Sequence, residues 1–173
     1  PNPHGARIAM AGDDPRAHAL YGAAWLVGMI AATQNAGLEA VAVGAPAGPF
    51  GIVRPASGGE GRLCPSYHVT MALKDMHGMR RIDAHVADPE IHVIAASGSG
   101  ATRLLIANGS SRAKTVVLPK TGDVLRLDPV SVGDAALDRD WRTNTTLRSL
   151  NEIDMPPCAV AFVSMTTSSE VSA

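Results

Sequence analysis

The fold class this sequence predicts is α/β followed by all-β. Three observations carry it. An apolar run of helical length extends from Ala19 to Ala32. A second stripe at Val69, Ala72, Leu73 and Met76 has the i, i+3, i+4, i+7 spacing of one helix face. After Arg80 the period changes to short β-type runs separated by Asp-Pro, Gly-Ser and Asn-Gly.

The first helix is expected from about Pro15 to Ala36. Asp14 supplies an N-cap oxygen, and Pro15 suits the first helical position because the N–H it lacks has no partner there. Gly37 is the expected stop. The helix is apolar nearly all round, through Trp25, Leu26, Val27, Met29 and Ile30, so more than one side needs cover. Leu38–Val43 follows as a short, mostly apolar strand of the parallel-sheet type. Gly44–Gly51 is a Gly/Pro loop, and Ala56–Gly61 a flexible insert. Pro65 opens the second helix, which runs to about His77 and ends at Gly78.

The β-type runs are Ile82–Val86, His92–Ala96, Thr102–Ala107, Lys114–Leu118, Asp123–Leu127 and Cys158–Met165, with one more near Leu147–Ile153. Pro129–Pro157 looks like an exposed insert around that last run. Six or seven antiparallel strands suit a sandwich, with Val93, Leu105, Val117, Leu125 and Val160 facing one core. No helix is expected within residues 100–128.

One parallel-type strand between two helices cannot satisfy its own backbone groups. Residues 1–80 therefore read as the terminal βα units of a (β/α)8 barrel, and residues 81–166 as an antiparallel β-sandwich accessory domain. Residues 167–173 read as a frayed polar tail. A Rossmann-like end is the alternative, but Gly44-x3-Gly48-x2-Gly51 carries two prolines and opens no helix. Strand 38–43 should then find few or no partners within residues 1–80. Trp25, Leu26 or Met29 should stand partly exposed.

Composition narrows the function classes. The 173 residues carry 15 Lys+Arg against 16 Asp+Glu, which argues against a nucleic-acid partner. Two Cys exclude a disulfide-built scaffold and read as free thiols. The 14-residue apolar run is too short to span a bilayer, so no membrane partner is expected. The chain opens mid-loop without an initiator Met, and no secretory leader is visible, so a cytoplasmic location is expected. Aromatics make up 3%, thin material for stacking sugars or bases.

Three stretches resemble a known family: Asn2-Pro3-x-Gly5-Ala6-Arg7-Ile8-Ala9-Met10-Ala11-x-Asp13-Asp14-Pro15-Arg16, then Gly22-Ala23-Ala24-Trp25, then Gly44-Ala45-Pro46-Ala47-Gly48-Pro49-Phe50-Gly51. Together they look like the C-terminal third of the D-apionate lactonases. Thr102–Asn108 resembles a sandwich strand of the same proteins. The resemblance implies a barrel related to retaining glycosidases, hydrolysis of a five-membered sugar lactone and no obligatory cofactor. The small sugar lactone, or another carbohydrate, and the missing N-terminal part of the barrel are the implied partners. The sequence departs from the family in length, because most of the barrel is absent, and in the 56–61 insert.

Lactone hydrolysis needs an activated water or nucleophile, an acid for the leaving oxygen, and donors for the oxyanion. In a barrel these groups sit at the C-terminal strand ends. The one visible strand end, after Val43, leads into a loop without carboxylate, His or Lys. Gly48 there can offer a backbone N–H and Phe50 a pocket wall; otherwise the loop merely shapes a turn. Asn2, His4 and Arg7 would face the same mouth as contacts for lactone hydroxyls or carbonyl; otherwise they are solvated loop. The catalytic groups themselves are not identified and are expected mostly in the missing strands.

No metal site is expected, since His4, His18, His68, His77, His85 and His92 lack ligand spacing. No Gly-x-Ser-x-Gly elbow is present. Asp83, Asp88 and Glu90 read as solvated. The expectation is thus the C-terminal portion of a carbohydrate-lactone hydrolase, inactive as this fragment alone. The alternatives are the same portion of a barrel-plus-sandwich glycoside hydrolase, and a non-catalytic sandwich module.

Overall fold

Helix α1 runs over Leu20–Thr33, shorter than the 15–36 expected. Residues 15–19 make turns instead, with Ala17 N–H donating to Asp14 O and Ala19 N–H to Arg16 O. The computed structural model describes residues 14–166 apart from Pro49, Ser57, Gly58 and Ser99. Asn2, His4, Arg7 and the 167–173 tail lie outside the described residues.

Residues 38–43 form no strand. Leu38 and Val41 are 55% and 42% exposed, and of the segment's large apolar residues only Val43 packs against the core. The Gly44–Gly51 stretch, expected as plain loop, instead carries β1 (Ala45–Ala47) and leads into β2 (Gly51–Ala56). The expected 56–61 insert is a hairpin between β2 and β3 (Gly59–Leu63). Strands β1 to β3 form a small sheet in that order. The β1–β2 pairing is parallel over Ala45↔Gly51 and Ala47↔Val53, across one tight turn. A βαβ ladder needs a crossover of a dozen or more residues, so β1 and β2 are not successive strands of a βαβ unit.

Helix α2 (Pro65–Asp75) has Pro at its start and buries His68, Val69 and Ala72. Leu73 and Met76 pack partly against the same core, completing the expected stripe. Gly78 beyond it has φ +76°, which a side chain rarely adopts.

Six strands follow: β4 (Arg80–Ile82), β5 (Ile91–Gly98), β6 (Ala101–Asn108), β7 (Lys114–Leu127), β8 (Arg148–Met155) and β9 (Val160–Thr166). They form one sheet in the order β4-β5-β6-β9-β7-β8, every pair antiparallel. Two expected strands, 114–118 and 123–127, are thus one. The expected insert at 129–157 holds two helical turns, α3 (Val132–Ala135) and α4 (Trp141–Asn144), before β8. No helix interrupts the described residues of 100–128.

Each face of this sheet has its own core. On one face, Ala23, Ala24, Leu26 and Val27 of α1 and Val69 of α2 pack on Leu105, Leu125, Leu127 and Val160, closed by Ala135 and Trp141. Each fully buried Leu or Val there contributes about 1.5–3 kcal/mol. On the other face, Val116, Leu118, Ile153 and Met155 pack with Leu104, Ile106, Ala161 and Val163. That second layer comes from β7 itself. Its register with β8 shifts between Val117 and Gly122, and only residues 123–127 pair with β9. The first half of β7 folds back over the sheet, and Lys114 Nζ is pinned to Asp88 (2.8 Å) and Glu90 (2.6 Å). These two carboxylates, expected to be merely solvated, therefore hold the fold-back in place.

One continuous ladder doubling over itself thus stands where two separate sheets are expected. Val93 packs against the second core, while Leu105, Leu125 and Val160 belong to the first. Val117, expected inside, is 71% exposed. Strand alternation explains it: Val116 and Leu118 point inward, so Val117 cannot. No described helix is long and apolar enough to cross a membrane.

Candidate active-site cavity

A cavity of about 310 Å3 opens between the start of α1 and the 43–52 segment. Tyr21 and Trp25 wall it from α1, and Phe50 and Ile52 from the opposite side. Its aromatic rings are largely open to solvent: Tyr21 is 44% exposed, Trp25 56% and Phe50 54%. Trp25 is exposed, as the all-round apolar helix predicts, whereas Leu26 is 2% exposed and turned inward.

The polar rim is Asp14, Arg16 and His18. Asp14 Oδ1 accepts from the Arg16 backbone N–H and Nε, each at 3.0 Å, and Oδ2 from Nη2 at 2.8 Å. The Arg16 bonds hold the Asp14 carboxyl below its ordinary value and raise the guanidinium in turn. Asp14 is therefore a committed anion and a poor proton donor. The guanidinium also lies 5.9 Å from the Tyr21 ring centroid.

Gly48 and Phe50 divide their roles. Gly48 has φ +94° and its carbonyl accepts the Gly51 N–H at 2.9 Å, while Phe50 O accepts from Ala45 N–H at 3.2 Å. A Cβ on Gly51 would fall 2.4 Å from the Ala47 backbone. The glycines of this loop thus build the turn that projects Phe50, and among its described residues only Phe50 and Gly51 line the cavity. Asn2, His4 and Arg7 lie outside the described residues.

The sequence reading missed Tyr21, Trp25 and Arg16 as cavity residues. Asp14 and Arg16 read there only as a helix start, because the i, i+2 ion pair forms only once residues 15–19 turn. Among the described residues no group of His, Cys, Asp or Glu could hold a metal. The cavity can seat a small ring against aromatic side chains. Among the described residues its one carboxylate, Asp14, is paired with Arg16.

Residues 1–78 match the family model described as D-apionate lactonase, TIM barrel domain. No curated protein matches the chain. Among solved structures, a conserved exported protein from Bacteroides fragilis superposes with a TM-score of 0.49 at 15% identity, over 68% of this chain and 27% of that one. A GH30 endoxylanase from Clostridium papyrosolvens gives 0.44 at 10%, over 61% and 28%. The trehalulose synthase MutB from Pseudomonas mesoacidophila gives 0.36 at 11%, over 50% and 14%. The chain thus spans 14 to 28% of the length of these proteins. Over residues 1–78 the chain matches the D-apionate lactonase TIM barrel domain, the family that its opening motifs resemble.

Proposed function

We infer that this chain is the C-terminal portion of a carbohydrate-lactone hydrolase acting on D-apionolactone to give D-apionate. The match over residues 1–78 carries the reading. The unpaired 38–43 segment and the uncovered Trp25 side of α1 support it, because both need neighbouring βα units that these residues do not supply. In this reading residues 1–80 end a (β/α)8 barrel whose other strands lie outside these 173 residues, and residues 81–166 are its accessory β domain.

Hydrolysis adds water to the lactone carbonyl carbon, passes through a tetrahedral oxyanion, and breaks the ring C–O bond with proton delivery to the leaving oxygen. The base and acid come from the other strands. This chain contributes the wall of the site. Phe50 and Trp25 exclude water from one side of the lactone ring, and Arg16 stays fixed by Asp14 at the rim. Asn2, His4 and Arg7 hold the lactone hydroxyls and carbonyl, and the site works in the cytoplasm without metal or cofactor.

The test is to assay the full-length protein on D-apionolactone and on aryl glycosides. Turnover of the lactone alone, weakened about tenfold or more by Phe50→Ala through loss of ring packing, is expected. Turnover of the glycosides alone would assign the chain to a glycoside hydrolase. Lactone hydrolysis by residues 1–173 alone would move catalysis into this chain, with Asn2, His4 and Arg7 as the first candidates.

A further inference from the structure

Asn108-Gly109 is the one Asn-Gly pair in the sequence. Such a pair is chemically labile in an unfolded polypeptide. The glycine backbone nitrogen loses its proton and attacks the side-chain amide carbon of the asparagine. A five-membered succinimide ring forms and ammonia leaves. Water then opens the ring at either carbonyl, giving aspartate or isoaspartate. Glycine favours the attack because no Cβ hinders its nitrogen. The reaction needs only water, and neither product returns to asparagine.

The fold requires both residues all the same. Asn108 is 0% exposed, and its NH2 group meets Arg112 O, Met155 O and Pro156 O at 2.7, 2.9 and 3.1 Å. Its Oδ1 takes the Ser110 backbone N–H and hydroxyl at 3.0 and 2.8 Å. The Asn108 backbone N–H donates to Ala159 O at 3.0 Å. Gly109 has no room for a side chain, since a Cβ there would fall 2.7 Å from His92 Nε2 and 3.3 Å from Glu90 O. Its N–H, the proton that the attack must remove, donates to Glu90 O at 2.8 Å.

We propose that Asn108 is a modification site closed by folding: the native corner blocks its deamidation, and each opening of the corner exposes it. In the folded chain both reacting groups are engaged. Five hydrogen bonds to Arg112, Met155, Pro156 and Ser110 hold the side-chain amide, and the Gly109 N–H is directed at Glu90. Bringing the nitrogen onto the amide carbon breaks bonds at both ends, so the reaction runs only through locally opened chain. The products cannot rebuild the corner. Aspartate in place of Asn108 still accepts from Ser110, but it turns a charged oxygen without donors toward three carbonyl oxygens. Isoaspartate inserts an extra backbone carbon where β6 pairs with β5 at Ile91↔Asn108. The conversion therefore marks chains that have unfolded and keeps them from refolding.

The test follows the tryptic peptide Leu104–Arg112 by mass spectrometry after incubating the full-length protein at mildly alkaline pH. Conversion in the folded protein is expected to be at least about a hundredfold slower than in guanidinium, where it should match the free peptide. Ser110→Ala removes one of the bonds to Oδ1 and leaves the reacting atoms in place. It should speed the folded-state reaction about tenfold without changing the rate in guanidinium. Asn108→Asp, which copies one product, should lower the melting temperature or fail to fold. Equal rates in the folded and the denatured protein overturn the proposal, and this comparison needs no variant. So does Ser110→Ala that reacts no faster when folded, or Asn108→Asp that melts as the parent does.

Discussion

Gly28 of α1 sits against the ring of His92 on β5, so close that a Cβ added at Gly28 would fall 2.8 Å from His92 Cδ2. A helix can lie this near a sheet only where it has no side chain. Gly109 also approaches this ring, with its virtual Cβ 2.7 Å from Nε2. The imidazole is thus a wedge between α1 and the turn after β6.

Gly28→Ala tests the wedge. Helix propensity alone favours alanine by about 1 kcal/mol. The clash with His92 outweighs this, and a net destabilisation of about 1–3 kcal/mol is expected in urea unfolding. Gly133→Ala in α3, where nothing lies within 4 Å of the added carbon, is the control and should be neutral or mildly stabilising.

Asn108 ends β6 fully buried, and its amide satisfies an entire corner. Nδ2 donates to Arg112 O, Met155 O and Pro156 O at 2.7, 2.9 and 3.1 Å, and Oδ1 accepts from Ser110 N and Oγ at 3.0 and 2.8 Å. Asn108→Leu removes all five and leaves the buried Ser110 N–H without its acceptor, while Arg112 O and Pro156 O keep bonds from Ser110 Oγ and Ala159 N–H. A loss of about 3 kcal/mol or more in chemical denaturation is expected.

His68 is 1% exposed, between Tyr67 and Trp141 at 5.3 and 5.2 Å ring separations. Ala135 O lies 2.7 Å from Nε2, which therefore carries the proton, and Nδ1 has no partner among the described residues. Burial pushes its pKa below 6.5; the Ala135 bond and Asp138 oppose this and Arg142 adds to it. The unfolded chain then takes up a proton that the folded one refuses. Stability is complete above about pH 6.5 and falls as the pH drops from there through the lowered folded value. His68→Phe should flatten this part of the stability profile, measured by denaturant midpoint between about pH 7 and 5.

Asp128 shows the opposite sign. Burial raises its pKa, but the Arg126 guanidinium and the backbone N–H groups of Ser131 and Val130 outweigh it and hold the carboxyl below 3.8. Its contribution is present above 3.8 and is lost as the pH falls through the lowered folded value. Asp128→Ala also frees the 128–131 turn, so a neutral-pH loss of about 1–3 kcal/mol is expected.

The open aromatic side of α1 gives the remaining prediction. Residues 1–173 alone should self-associate through Tyr21, Trp25 and Phe50, seen as concentration-dependent sedimentation. Trp25→Glu should shift the chain toward monomer without lowering its melting temperature, because the indole has no core contact to lose.

Local signals were legible where local chemistry decides. Pro65 and Gly78 bracket α2, and β5, β6 and β9 fall within two residues of their alternating runs. What failed depends on partners far along the chain. Leu38–Val43 has strand composition but no ladder to join, and Ala45–Ala47 pairs instead because the Gly48 turn brings it beside β2. Val117 alternates with Val116 and Leu118, and which of the two sets turns inward depends on the residues of β6, β8 and β9 that cover it. At the cavity, Phe50 was legible from its loop, whereas Tyr21 and Trp25 depend on which side of α1 the sheet covers.

β9 is the last of the described strands in chain order and the inner strand that joins β6 to β7. During synthesis, the β5–β6 hairpin and the β7–β8 pair can each form as soon as they leave the ribosome, but each keeps an unsatisfied edge until residues 160–166 emerge. A stop codon within 156–159 would therefore release two half-sheets with bare, adhesive borders, and not a slightly shortened domain. The seven residues of β9 act as the keystone of the six-stranded sheet that begins at Arg80.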